Sequence, residues 1–247
     1  MKYYEFGPKE LKPIVLLHGG GLSWWNYREV AELLQDEYHI IIPILDGHSG
    51  SDKFFTTIED NALEIISFID EFYNGSVLLI GGLSLGAQIV LEIVSKRKSI
   101  ASYALIESAA VIPQRITHAL IGPTFGMSYG LIKNERFARK QFKSLKIKDE
   151  LFDDYYRDTC QISKKDMIAF MKASTSYTLK KELADTDSKV YVFIGEKETS
   201  VIKKSAKAIT QILPNCHYQV LEGSYHGEFS INHASEFTET IRQIINQ

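Results

Sequence analysis

Apolar residues recur along this chain in two rhythms. Short runs at Pro13 to Leu17, His39 to Ile44, Ser76 to Ile80, Ala101 to Ile106, Lys189 to Ile194 and His217 to Leu221 predict strands, and most are continuously apolar, as expected of strands covered on both faces. Between them, Asn26 to Gln35, Thr57 to Tyr73, Leu85 to Lys96, Val201 to Leu213 and Ser235 to Ile245 set apolar side chains three and four positions apart, the spacing of amphipathic helices. The alternation predicts an α/β fold, a mostly parallel central sheet with helices on both faces. Lys2 to Phe6, closed by Gly7-Pro8, adds a short edge strand.

The rhythm breaks once. From about Pro113 to about Asp187 there is no strand pattern, only helical stretches such as Asn134 to Lys146 and Lys165 to Leu183. That is too long for a plain connection. It predicts a helical cap, residues 113–187, inserted into a core formed by residues 1–112 and 188–247.

Composition narrows the function classes. With 247 residues, 45% hydrophobic and 24% charged, the chain has the make-up of one ordinary globular core. A net charge of −3 offers no broad positive field, so nucleic acid is not the expected partner. Cys160 and Cys216 have neither metal-ligand nor redox spacing and fit a reducing compartment. The N-terminus lacks an apolar leader core, and the longest apolar stretch, Val77 to Val94, is interrupted by glycines, Ser84, Gln88 and Glu92. The expectation is a cytoplasmic protein with no membrane span, no metal and no cofactor.

The chemistry starts at Gly82-Leu83-Ser84-Leu85-Gly86, which ends a strand pattern and opens a helical one. That is the context of a nucleophile elbow, where a sharp turn exposes a serine hydroxyl at a helix N-terminus. A phosphate-binding turn would need the Walker lysine or the GxGxxG spacing, and neither is present. Upstream, Leu16-Leu17-His18-Gly19-Gly20-Gly21 ends the first long strand in a loop able to turn amides inward as an oxyanion hole.

A serine needs a base, and His226, in the loop after the last strand, is the candidate. A carboxylate must orient that base. Glu196 and Glu198 follow the strand ending at Ile194, and Glu198, deeper in the loop, is preferred; Glu107, ending another strand, is the alternative acid. His18 would shape the glycine loop, His48 and His233 would sit in loops or at a helix start, and His118 belongs to the insertion.

The ordered set His18-Gly19-Gly20-Gly21, Asp46 to Asp52, the Ser84 elbow, Gly195 to Glu198 and His226-Gly227 resembles the α/β-hydrolase superfamily. The resemblance implies an eight-stranded fold, or a trimmed version lacking the first strands, and a Ser84, Glu198, His226 triad. It also implies oxyanion donors at the Gly20 and Leu85 amides, with Gly21 as a third candidate. Glutamate stands where the family most often has aspartate. The expected function is a serine hydrolase cleaving a small or medium carboxylic ester or related acyl compound through an acyl-enzyme, its partner a small-molecule substrate. The same triad would also serve a C–C bond hydrolase or an aminopeptidase, and the scaffold alone a low-turnover ligand sensor.

Trp24, just past the glycine loop, and Phe125, in the insertion with Pro123, Met127 and Tyr129, are candidate walls of a substrate pocket. Lys133 to Lys148 holds seven Lys or Arg against one Glu and is followed by Asp149, Glu150, Asp153 and Asp154. Such a run serves either as a solvated helix face or as a rim that steers anionic substrates. Phe137, Phe142 and Leu145 within it are expected to face inward.

Overall fold

The computed structural model describes residues 1–246. Its strands are β1 (Tyr3–Phe6), β2 (Pro13–Leu17), β3 (His39–Pro43), β4 (Val77–Leu83), β5 (Ala101–Glu107), β6 (Lys189–Gly195) and β7 (His217–Leu221). They form one sheet in the order β1-β3-β2-β4-β5-β6-β7, with β1 antiparallel to β3 and every other pair parallel. The sheet is thus the trimmed, seven-stranded version, with one antiparallel edge.

Side-chain alternation divides the core in two. Ile14 and Leu16 of β2 face Leu34 of α1 (Arg28–Leu34) and Phe237 and Ile241 near the C-terminus. Val15 and Leu17 face the other way, toward Ile65 and Ile69 of α2 (Ile58–Phe72) and Val90 of α3 (Leu85–Lys96). Burial on both faces explains why the inner strands read as apolar runs, whereas the edge strand β7 is exposed from His217 to Val220.

Three strands run further than their apolar residues do. β4 continues through Gly81 and Gly82, which pair with Leu105 and Ile106 of β5, and β5 and β6 extend to Glu107 and Gly195. Central strands keep their pairing because neighbours on both sides supply the ladder, overriding the local preference of glycine.

Between β5 and β6 the chain is helical: α4 (Arg115–Ser128), α5 (Glu135–Ser144), α6 (Phe152–Thr159), α7 (Lys164–Ser176) and a short turn at Lys181–Asp185. Asn134 caps α5 by accepting from the Phe137 amide at 3.2 Å, which releases one orphan donor of the first turn. The expected single helix from Lys165 to Leu183 is instead broken. At Tyr177 the backbone turns extended (φ −60°, ψ 140°), and the ring is buried with its hydroxyl 3.4 Å from Glu92. Two further helices lie in this segment, α4, which carries Pro123 in its interior, and the acidic α6.

Buried hydrogen bonds tie this segment to the sheet. The Gln88 amide of α3 donates to the carbonyls of Ala110 and Ser174 at 2.5 and 2.9 Å. The Trp25 indole donates to Asp158, and the Phe55 amide to Asp166, both at 2.9 Å. Such bonds to carboxylates are worth about 1.5–3 kcal/mol each. After β6 come α8 (Ser200–Ile212), α9 (Glu228–Asn232) and α10 (Ala234–Ile245).

Candidate active site

Ser84 lies between the last residue of β4 and the first of α3, at φ 55° and ψ −109°. A non-glycine residue in that region carries about 1–3 kcal/mol of strain and persists only where its surroundings hold it. Here its amide is held by the Glu107 carbonyl at 2.9 Å. The flanking glycines are needed for close approach: a Cβ on Gly82 would overlap the Gly86 backbone, and one on Gly86 would overlap the Leu17 carbonyl. The turn is therefore sharp enough to leave the hydroxyl at the N-terminus of α3. The Leu85 amide that opens this helix donates to no acceptor among the described residues, and neither does the Gly20 amide.

The glycine loop is fixed by two histidines. His18, fully buried, accepts from the Leu45 amide through Nε2 at 3.2 Å, and its Nδ1 lies 2.9 Å from the Gly19 carbonyl. His48 accepts from the Gly21 amide through Nε2 at 3.0 Å, and its Nδ1 lies 3.0 Å from the Asp46 carbonyl. Accepting at Nε2 places the proton of both neutral rings on Nδ1. Burial is the chief cause that pushes the His18 pKa down to about 3, with the His48 charge adding to it. Burial likewise brings His48 to about 4, against the pull of its hydrogen bonds to Asp46 and Leu45. Gly21 thus spends its amide on His48, so the third oxyanion candidate is occupied. Nothing in its sequence context marks His48 for this role; only the fold brings it beside the glycines.

His226 sits in the opposite kind of environment. Its ring is 47% exposed, and Nδ1 lies 3.0 Å from Oε2 of Glu198, whose carboxylate is buried. Enclosure by neighbouring atoms works against the imidazolium, but the Glu198 hydrogen bond and charge, with the Glu107 charge behind them, raise the His226 pKa above the ordinary value. Glu198 is the acid bonded to His226. Glu196 instead accepts from the Gly223 amide at 2.9 Å. Glu107 is buried at the end of β5, where Oε1 accepts from the Ser230 amide at 3.4 Å. Its pKa is raised to about 7, chiefly by burial, with the Ser230 bonds and the His226 charge pulling the other way.

Two cavities meet at Ser84. One, about 260 Å³, is lined by Ser84, His226 and Glu198 together with Lys146, Lys197 and Tyr225. The other, about 270 Å³, runs under α4, α5 and α7 and is lined by Phe125, Met167, Phe170 and Met171. Gly20, Leu22, Ser84 and Leu145 belong to both. This is the carboxyl edge of the parallel strands, where open α/β sheets place their ligands. A roomier cavity of about 500 Å³ lies at the other ends of β6 and β7, beside Lys189 and His217. Among the described residues no cluster of side chains could hold a metal ion, and no helix is long and apolar enough to cross a membrane.

Phe125 therefore sits where expected, but Trp24 does not. Its indole stacks on Tyr4 of β1 at 4.3 Å, with Phe6 beside it, because the helical turn Trp24–Tyr27 directs it to the edge strand and sends Trp25 inward. His118 bonds the Lys172 carbonyl and Thr175 at the contact of α4 with α7, and Met127 is exposed. Phe142 is buried as expected, whereas Phe137 and Leu145 are exposed, Leu145 at the mouth of both cavities.

A family model described as the alpha/beta hydrolase family matches residues 14–240. The chain belongs to that family. It is 31% identical over 142 residues to Lipase 1 of Psychrobacter immobilis, a match spanning 56% of this chain and 44% of the lipase. A carboxylesterase structure from Nitrososphaera gargenis superposes with a TM-score of 0.81 at 18% identity, covering 99% of this chain and 93% of that one. A thermophilic esterase from Thermogutta terrifontis gives a TM-score of 0.81 at 16% identity, covering 99% and 92%. Likeness at such low identity concerns the fold.

Proposed function

We propose that the protein is a serine hydrolase of small or medium carboxylic esters, with Ser84 as nucleophile, His226 as base and Glu198 as the acid that orients it. The observation that carries this reading is the cavity shared by the strained Ser84 turn and a histidine bonded to a buried carboxylate. His226 Nε2 takes the Ser84 proton as the hydroxyl attacks the ester carbonyl. The Gly20 and Leu85 amides meet the developing oxyanion, with the N-terminus of α3 adding its dipole. His226 then gives the proton to the leaving alcohol, and water, activated in turn by His226, releases the acid.

On this reading the helices of residues 113–187 act as a cap whose Phe125, Met167 and Phe170 close the second cavity against water. The match to a lipase favours ester over amide or C–C bonds. The test is hydrolysis of p-nitrophenyl esters of increasing chain length beside diketone and aminoacyl substrates. Turnover of acetate to hexanoate esters that falls at least 10³-fold in Ser84→Ala supports the reading. Indifference to every ester, with turnover of a diketone or aminoacyl substrate, rejects it.

A further inference from the structure

We infer that the alcohol side of the substrate carries an anionic group, received by Lys146 and Lys197 across the ring of Tyr225. The inference rests on the serine-hydrolase reading and adds the substrate class. The Lys146 Nζ lies 5.3 Å and the Lys197 Nζ 4.9 Å from the Tyr225 ring centroid. The lysines come from distant parts of the chain, one after α5 and one beside Glu198. Both line the cavity that holds Ser84 and His226.

Like charges gathered at one aromatic ring repel unless an anion joins them. No carboxylate within ion-pair distance answers either lysine among the described residues. The acidic groups nearby are engaged elsewhere. Glu198 bonds His226, Glu196 accepts from the Gly223 amide, and Glu228 accepts from the Tyr225 amide at 2.6 Å. The backbone of Lys146, whose side chain is exposed, is also held in place. Its backbone is left-handed at φ 60°, its carbonyl accepts from Asn232 Nδ2 at 2.7 Å, and Asn232 Oδ1 accepts from the Lys148 amide at 3.0 Å. Of the basic run from Lys133 to Lys148, Lys146 is the member whose side chain lines this cavity.

The direction of proton transfer decides which half of the substrate meets the lysines. His226 must reach the leaving oxygen, so the alcohol lies on the His226 side. His226 lines the lysine cavity, whereas the other cavity presents Phe125, Met167, Phe170 and Met171 and no charged side chain. The acyl chain accordingly enters the apolar cavity and the alcohol the basic one. A carboxylate and a phosphate share the chemistry these lysines recognise.

The test compares butyrate esters of 4-hydroxybenzoate, 4-hydroxyphenyl phosphate and 4-hydroxybenzamide with the hemisuccinate of phenol, whose charge lies on the acyl side. An exposed ion pair is worth about threefold, and up to about fivefold, and an anion here makes two of them. The expected result at low salt is therefore a KM about tenfold lower for an anionic alcohol than for the amide ester, with poor turnover of the hemisuccinate. The arm that gains more, carboxylate or phosphate, names the group. The preference should shrink in 0.5 M salt, about half a molar, where screening is strong, collapse toward unity in Lys146→Gln/Lys197→Gln, and survive in Lys146→Arg/Lys197→Arg. Turnover of the amide ester with no charge preference overturns the lysine assignment alone, as does a preference that persists in the glutamine variant. Failure of all four esters overturns the serine-hydrolase reading and the assignment with it.

Discussion

Two regions at the carboxyl edge of the sheet use the same side chain in opposite ways. In the glycine loop, His18 and His48 are buried, accept backbone amides and are driven toward neutrality, to pKa values of about 3 and 4. In the loop after β7, His226 is open to the cavity, bonded to Glu198, and pushed toward the charged form. Their surroundings divide the labour: two imidazoles with lowered pKa make fixed acceptors for a loop, and one backed by a carboxylate can pick up a proton and hand it on.

The largest expected effect tests that division directly. His226→Ala lowers kcat by about 10⁴-fold or more, whereas His48→Ala, which frees the Gly21 amide without touching the reacting atoms, lowers it about tenfold. Steady-state kinetics on a p-nitrophenyl ester checks both. Equal losses would erase the distinction between the two regions.

A sharper comparison lies between the two buried glutamates. Glu198→Gln removes the charge that orients the ring and lowers kcat by about 10³–10⁴-fold, while Glu107→Gln costs less than tenfold. The pH profile carries the same information. His226 must be neutral to accept the Ser84 proton, so kcat/KM falls on acidification through its folded pKa, above the ordinary value of 6.5. Glu198→Gln moves that limb to lower pH because the imidazolium loses its main support. A limb that moves instead with Glu107→Gln would reassign the acid.

The smallest effect is on stability. His48 has a folded pKa near 4 against an ordinary 6.5, so between these values the folded protein binds fewer protons than the unfolded chain. The stability this histidine contributes is therefore present above pH 6.5 and lost as the pH falls toward 4. His48→Asn should cost about 1–3 kcal/mol at pH 7, a deficit that shrinks on acidification by up to about 1.4 kcal/mol per pH unit. Urea denaturation at several pH values measures it. A deficit that grows in acid contradicts the neutral assignment.

The inner strands were legible in the sequence because burial on both faces writes them as plain apolar runs. The glycines around Ser84 were equally readable, since backbone contact with Leu17 at Gly86, and with Gly86 itself at Gly82, leaves no room for a Cβ. Which carboxylate bonds His226 was visible only in the fold: Glu196, Glu198 and Glu107 all follow or end strands, and position along the chain does not say which of them turns toward the imidazole. The helices between β5 and β6 were read least well. They are held by long-range bonds such as Trp25 to Asp158 and Gln88 to Ser174, so local periodicity carries little of their signal. Trp24 was misplaced for a related reason, because a single helical turn decides which of two adjacent indoles faces inward.

The most direct measurement is the site and rate of phosphonylation by a fluorophosphonate, mapped by mass spectrometry on the folded protein. The account predicts one adduct, on the peptide holding Ser84, forming faster as His226 loses its proton and nearly abolished in His226→Ala. An adduct on another residue, or labelling of Ser84 indifferent to His226, would contradict it.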